Sequence, residues 1–224
     1  MPRTGQPNQY SLDFTQGGFA HVNGHGFIFH DPSVGGSPGD ATLEWFMKVP
    51  APTGHSAMFW TNGGPADANR FNLFWNASFT GAPDSDRFVD GGFRDPTGAA
   101  HNVGGPGYNS GTPVSLDEWH HFAIVRRDLG DGTVAWDWYI DGVLSAGHNA
   151  ITTDDMPLAL DWLIAGRQGG HGVNARFDEI RLTDRALAPG EFLNAVPEPS
   201  TTALVGLGLV VLAAVGRRRS RIAS

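Results

Sequence analysis

Residues 119–142 read WHHFAIVRRDLGDGTVAWDWYIDG, and their pattern decides the fold class. From Val134 to Ile140 the side chains alternate. Val134, Trp136, Trp138 and Ile140 fall on one face and Ala135, Asp137 and Tyr139 on the other, a period of two that belongs to a half-buried strand. Upstream, Phe122 and Ile124 share a face of a second strand, His120–Arg126. Asp141-Gly142 directly follows Ile140, and Asp-Gly at a strand end is a strong hairpin signal because both turn positions need positive φ.

Further apolar runs of similar length lie on both sides: Tyr10–Phe14, Phe27–His30, Ala41–Val49, Ser56–Thr61, Phe71–Asn76, Leu160–Ala165 and Arg176–Leu182. Residues 50–56, 62–70, 81–87 and 95–113 read as loops, and no stretch before residue 186 has the pattern of a long amphipathic helix. The 31 glycines and 15 prolines suit many turns. No internal repeat or linker divides the body. The expectation is one all-β sandwich or barrel domain over residues 10–195.

Charge excludes some functions. The chain has a net charge of -8, yet Arg217, Arg218, Arg219 and Arg221 all lie in the last eight residues. Without the tail from Val196 onward, 11 basic residues face 22 acidic ones. So acidic a body repels phosphate backbones, which argues against nucleic-acid binding, and attracts divalent cations. With no cysteine, disulfides, thiolate zinc sites and a cysteine nucleophile are excluded.

The tail, residues 196–224, carries Pro197-Glu198-Pro199, an uncharged run from Ser200 to Gly216, and the arginine cluster. As a helix, those 17 residues would span about 26 Å at ~1.5 Å per residue. That is short but workable for a bilayer core of about 30 Å. The run is apolar all round, unlike a surface helix. Pro197 and Pro199 stop the helix upstream, and the arginines stay cytoplasmic, placing residues 1–196 on the far side of the membrane.

This order of parts resembles the PEP-CTERM sorting signal of bacterial exosortase substrates. The resemblance implies export, recognition by a transpeptidase-like sorting enzyme in the membrane, and cleavage near Pro197-Glu198-Pro199. Before processing, the helix 200–216 would lie in the inner membrane; afterwards the product belongs to the envelope or the extracellular space. Residues 1–9 form an N-terminal segment without a signal peptide, since Met1–Tyr10 has no apolar stretch. The expectation is a start codon placed too late or a fragment of a longer chain.

The ordered series Trp119-His120-His121-Phe122, Trp138-Tyr139-Ile140-Asp141-Gly142, Phe177-Asp178-Glu179-Ile180 and Arg185-Ala186-Leu187-Ala188 resembles the laminin-G-like, concanavalin A-like jelly roll of secreted bacterial proteins. Ser11-Leu12-Asp13-Phe14 with Gly17–Val22 resembles its opening strands, and Thr42–Lys48 the next core strand. The resemblance implies two curved antiparallel sheets with a concave face. It also implies a structural calcium, which needs about six to eight oxygens. Asp178, at the family's Asp-Glu position, and Asp13 are the expected ligands; capping turns or pairing with arginines such as Arg181 is the competing role.

Laminarinase-type hydrolases share this fold and carry a Glu-x-Asp-x-x-Glu strand that sets its acids on one face; that spacing is absent. A Gly-x-Ser-x-Gly elbow is absent too. His120 and His121 are adjacent in a strand and diverge, and Gly24 and Gly26 remove any helix from the His21–His25 spacing. Of the seven tryptophans, Trp60, Trp75, Trp136 and Trp138 are the candidates to stack on sugar rings, with core packing as the competing role. The expected protein is exported, non-catalytic, and binds carbohydrate or a surface partner. A glycoside hydrolase or lyase of the same architecture, or a purely structural matrix component, is the alternative.

Overall fold

The computed structural model describes residues 11–22, 39–51, 56–61, 70–76, 88–94, 100–102, 114–153, 162–166 and 172–195. Among these, the strands in chain order are β1 (Leu12–Asp13), β2 (Ala20–Val22), β3 (Ala41–Lys48), β4 (Ser56–Thr61), β5 (Arg70–Asn76), β6 (Phe88–Arg94), β7 (Ala100–Asn102), β8 (His120–Asp128), β9 (Thr133–Ile140), β10 (Val143–Thr153), β11 (Trp162–Ile164) and β12 (Arg176–Thr183). They form two six-stranded sheets, ordered β1-β12-β3-β8-β9-β10 and β2-β11-β4-β5-β6-β7, with antiparallel pairing throughout both. The result is the expected jelly-roll sandwich.

Alternation sets the core. In β3, Leu43, Trp45 and Met47 turn inward, as do Phe122 and Ile124 of β8 and Val134, Trp136, Trp138 and Ile140 of β9. From the second sheet come Phe59, Phe71, Leu73 and Trp75. Trp45 meets Phe59 edge-on at 4.9 Å and Phe71 stacks with Trp136 at 6.1 Å, so the sheets lock through aromatic contacts. The turn between β9 and β10 is built as Asp-Gly predicts: Asp141 has φ 53° and Gly142 φ 80°.

The reading of 95–113 as loop is corrected at Ala100–Asn102, which pairs with the end of β6. Three residues are too few for alternation to show. Phe27–His30 and the tail 196–224, including the expected helix 200–216, lie outside the described residues. Among the described residues no helix is long and apolar enough to cross a membrane.

After β12 the chain turns back over the outer face of the first sheet. Two short 3-10 turns, Pro189–Glu191 and Leu193–Ala195, end the described chain there. Leu187 and Phe192 from this segment join Ala123, Val125 and Tyr139 in a second, smaller apolar cluster. Residues 184–195 thus form a strap across the sheet, and in the sequence the tail from Val196 follows it directly.

Candidate functional site

The strap is fastened by one carboxylate. Glu44 sits on the outward side of β3 because Leu43 and Trp45 beside it turn inward. Arg181 of β12 is its cross-strand partner, and Ala123 of β8 lies on its other side. Glu44 is 0% exposed. It accepts from Arg181 Nε at 2.6 Å and from the backbone N–H of Leu193 at 2.8 Å, and it pairs with His121 Nε2 at 3.0 Å. Burial works against its charge, but the hydrogen bonds from His121, Leu193 and Arg181 outweigh it and hold the carboxyl below its ordinary value. Beside it, the Thr42 hydroxyl donates to the Arg185 carbonyl at 2.8 Å and accepts from the Leu187 N–H at 2.9 Å. Within the strap, Glu191 accepts from Arg185 at 2.6 Å and from the Ala188 N–H at 2.9 Å. The sequence revealed the strand but not this clasp, because the pairing of Glu44 with Arg181 and His121 follows from strand register, which no local pattern encodes.

A second polar group lies at the end of β8. His120 Nδ1 is 2.7 Å from Asp141 Oδ2, and His120 Nε2 is 2.8 Å from Ser115 Oγ. The distances are those of a hydrolytic Ser-His-Asp relay. The hydrogen bond to Asp141 outweighs burial and raises His120 above its ordinary value. Ser115 in turn donates to Glu118 at 2.6 Å. The Ser115 hydroxyl thus has a carboxylate as well as the imidazole within hydrogen-bond reach. Burial disfavours the charge on Asp141, yet the bonds from His120 and from the His121 N–H hold its carboxyl low. His120 and His121 diverge as expected, one to Asp141 and the other to Glu44.

The two expected calcium ligands each have partners within the fold. Both carboxylate oxygens of Asp13 are engaged, one by the hydroxyl and N–H of Thr15 at 2.7 and 2.9 Å and the other by Arg176 Nε at 3.0 Å. A cation at Asp13 would have to displace that guanidinium. Asp178 lies on β12 beside a bulge and accepts from the Glu179 N–H at 2.9 Å. Among the described residues no three His, Asp or Glu side chains converge.

Three of the four candidate sugar-stacking tryptophans are corrected. Trp75, Trp136 and Trp138 belong to the core cluster, and the Trp136 indole N–H donates inside the fold to Thr152 at 2.9 Å. A ring enclosed by both sheets has no face to offer a sugar; each stands on the inward phase of its strand. Trp60 differs in phase, not in burial: it is 6% exposed and pairs with Leu163 on one side and Asn72 on the other. Paired residues share a face, so the row His21, Leu163, Trp60, Asn72, Gly92 runs across the second sheet. The neighbouring row Ile164, Phe59, Leu73, Gly91 faces the core. The Trp60 row therefore lies on the outward face, where Phe74 meets the indole edge-on at 5.8 Å.

Fold and strap together define a lectin-like sandwich that runs straight into a sorting tail. The family model of the concanavalin A-like lectin/glucanases superfamily matches residues 22–191, and the chain belongs to that family. The PEP-CTERM protein-sorting motif matches residues 195–219, which marks an exported protein destined for the cell envelope or beyond and processed by an exosortase-type system. No curated protein matches the chain. Among solved structures, a mutant of HCR/D is similar at TM-score 0.52 and 13% identity, over 83% of this chain and 41% of its own. Domain 4 of AbnA, an extracellular arabinanase from Geobacillus stearothermophilus solved with arabinotriose, gives 0.48 and 16%, over 83% of this chain and 79% of its own. Domains LG4-5 of the mouse laminin alpha1 chain give 0.49 and 9%, over 76% and 41%. The chain thus spans under half the length of the HCR/D and laminin structures. At these identities the likeness concerns the fold.

Proposed function

We propose that this protein is a non-catalytic cell-surface or extracellular matrix module that binds carbohydrate, delivered by exosortase-type sorting of its tail. Before processing, residues 200–216 hold it in the inner membrane, with Arg217, Arg218, Arg219 and Arg221 on the cytoplasmic side. The observation that carries the reading is the joining of a lectin-type family match to a sorting motif with only three residues between the two matches. The non-catalytic part is supported by the hydrogen bond that Ser115 gives to Glu118 and by the use of buried Glu44 as a clasp. For the ligand, the outward row of the second sheet carries the exposed imidazole of His21 and the half-buried amide of Asn72, with the nearly covered indole of Trp60 between them. That set matches the apolar CH faces and hydroxyls of a sugar. A structural calcium held through Asp178 stays compatible with this reading if the remaining oxygens come from backbone and solvent.

The test is the full chain in detergent on a glycan array, with and without calcium, beside the W60A variant. A sugar bound by the wild type and weakened about tenfold in W60A, the scale of one aromatic contact, is the expected result. No glycan held in either condition would overturn the carbohydrate assignment.

A further inference from the structure

Residues 114–119 bend sharply into β8, and one of them sits in a conformation that costs energy. Asp117 has φ 58°, the left-handed region that residues other than glycine seldom enter. Three contacts hold it there. Its N–H donates to the Val49 carbonyl at 2.8 Å, and its carboxylate meets Lys48 Nζ at 2.8 Å. The Ser115 hydroxyl reaches across the bend to Glu118 at 2.6 Å. The first two tie the bend to the end of β3; the third closes it on itself.

The closing bond has a rival. His120 Nε2 is 2.8 Å from the same Ser115 oxygen, and a hydroxyl has one proton to give. Asp141 Oδ2, 2.7 Å from His120 Nδ1, keeps a proton on that nitrogen. An imidazolium also carries a proton on Nε2, donates it to Ser115 Oγ, and leaves the hydroxyl proton for Glu118. A neutral imidazole has a bare lone pair at Nε2 and takes the hydroxyl proton itself. The charged groups around the ring are Asp141 from the β9–β10 turn and Glu118 from the bend. Lys48 of β3 is held by Asp117, and His121 turns away to Glu44. The bond to Asp141, with the fields of both acids, outweighs burial and raises the ring above its ordinary value.

We propose that Ser115 is a proton-driven switch: when His120 gives up one proton, the serine hydroxyl turns from Glu118 to the imidazole and the bend 115–118 loosens. The proton leaves Nε2 for solvent, the hydroxyl proton rotates into its place, and Glu118 loses its donor. Asp117 then keeps its left-handed backbone with one support fewer. The direction is fixed. A histidine raised in the fold holds its contribution on the acid side and loses it as pH rises through the folded value. The bend is therefore closed in acid and loose in alkali. It belongs to the first sheet, whereas the Trp60 row lies on the second, so the switch stands apart from the carbohydrate reading.

The experiment follows the full chain in detergent from about pH 5 to 9, the range in which histidine changes charge. Two quantities are read: the His120 ring nitrogens by long-range proton–nitrogen NMR, and hydrogen exchange of the segment 114–119 relative to an unstructured peptide at each pH. Wild type is compared with S115A, which changes an exposed side chain and keeps His120 and Asp141. In wild type the protection of the segment is expected to fall about three- to tenfold across the His120 titration, the scale of one net hydrogen bond. In S115A the protection is expected to stay at the low alkaline level throughout, while His120 still titrates. A flat wild-type profile would overturn the switch. So would a step that persists in S115A, or a His120 ring that stays in one protonation state over the whole range.

Discussion

Replacing Glu44 by glutamine probes the clasp with minimal change of shape. The carboxylate is fully buried and receives donors from Arg181, His121 and Leu193. An amide keeps one acceptor oxygen but turns an NH2 group toward one of those donors. A hydrogen bond to a charged group contributes about 1.5–3 kcal/mol, and a buried donor left unsatisfied costs about 1–3 kcal/mol. Arg181 is 39% exposed at its side chain, so water takes back part of its loss. The loss that persists lies with His121 and the Leu193 N–H, about 2 kcal/mol in all. For a domain of this size that is a fall in Tm of about 4–8 °C. Thermal melting followed by tryptophan fluorescence reads it, because Trp45, Trp75 and Trp136 are in the core. The pH dependence has a fixed sign. The Glu44 carboxyl is depressed below 4.5 in the fold, so its contribution is present above the unfolded value and lost as pH falls through the folded one. The difference between wild type and E44Q should therefore be full at pH 7 and shrink well below pH 4.5. A Tm within 1 °C of wild type at pH 7, or a gap that widens on acidification, would refute the clasp.

Two further predictions concern the first sheet and the core. In D141N the turn is kept, since asparagine tolerates positive φ, but His120 loses its anionic partner. His120 is raised and Asp141 lowered in the fold, so the pair stabilises between the lowered Asp141 value and the raised His120 value. The loss in D141N, measured by urea denaturation, should be largest near pH 5–6 and fade above the His120 titration; a loss that grows toward pH 9 would contradict the assignment. At Gly91 an added Cβ would lie 2.5 Å from Leu73 Cδ2 and 3.0 Å from the Trp138 ring. G91A should cost about 1–3 kcal/mol by overpacking, read as an earlier urea midpoint with an unchanged slope, whereas an unaltered midpoint would mean that the sheets are not packed as described.

Strands with clean alternation were legible in the sequence. Val134–Ile140 and Phe122–Ile124 gave the sheet, its inward face and the hairpin at Asp141-Gly142. By contrast, Phe88–Arg94 falls between the loop readings 81–87 and 95–113 with no assignment, its alternation broken by Gly91-Gly92; Gly91 is there because Leu73 and Trp138 leave no room for a side chain. The hairpin required a strand after Gly142, but the bulge between Leu144 and Asn149 blurs its alternation. For the site, residue type misled where position decides. A tryptophan suits a sugar platform or a core equally, and only the phase of its strand separates Trp136 and Trp138 from Trp60. Glu44 is an ordinary outward acid by pattern; its role appears only when register brings Arg181 and His121 to it and the strap closes over them. The sorting motif was legible because its signal is local: a Pro-Glu-Pro motif, an uncharged run and a basic end.

The most direct measurement is the intact mass of the protein recovered from its producing cells, fraction by fraction. The account predicts a species in the envelope or the medium that ends near Pro197–Pro199 and has lost Arg217, Arg218, Arg219 and Arg221. A full-length chain confined to the cytosol, with all four arginines still attached, would contradict it.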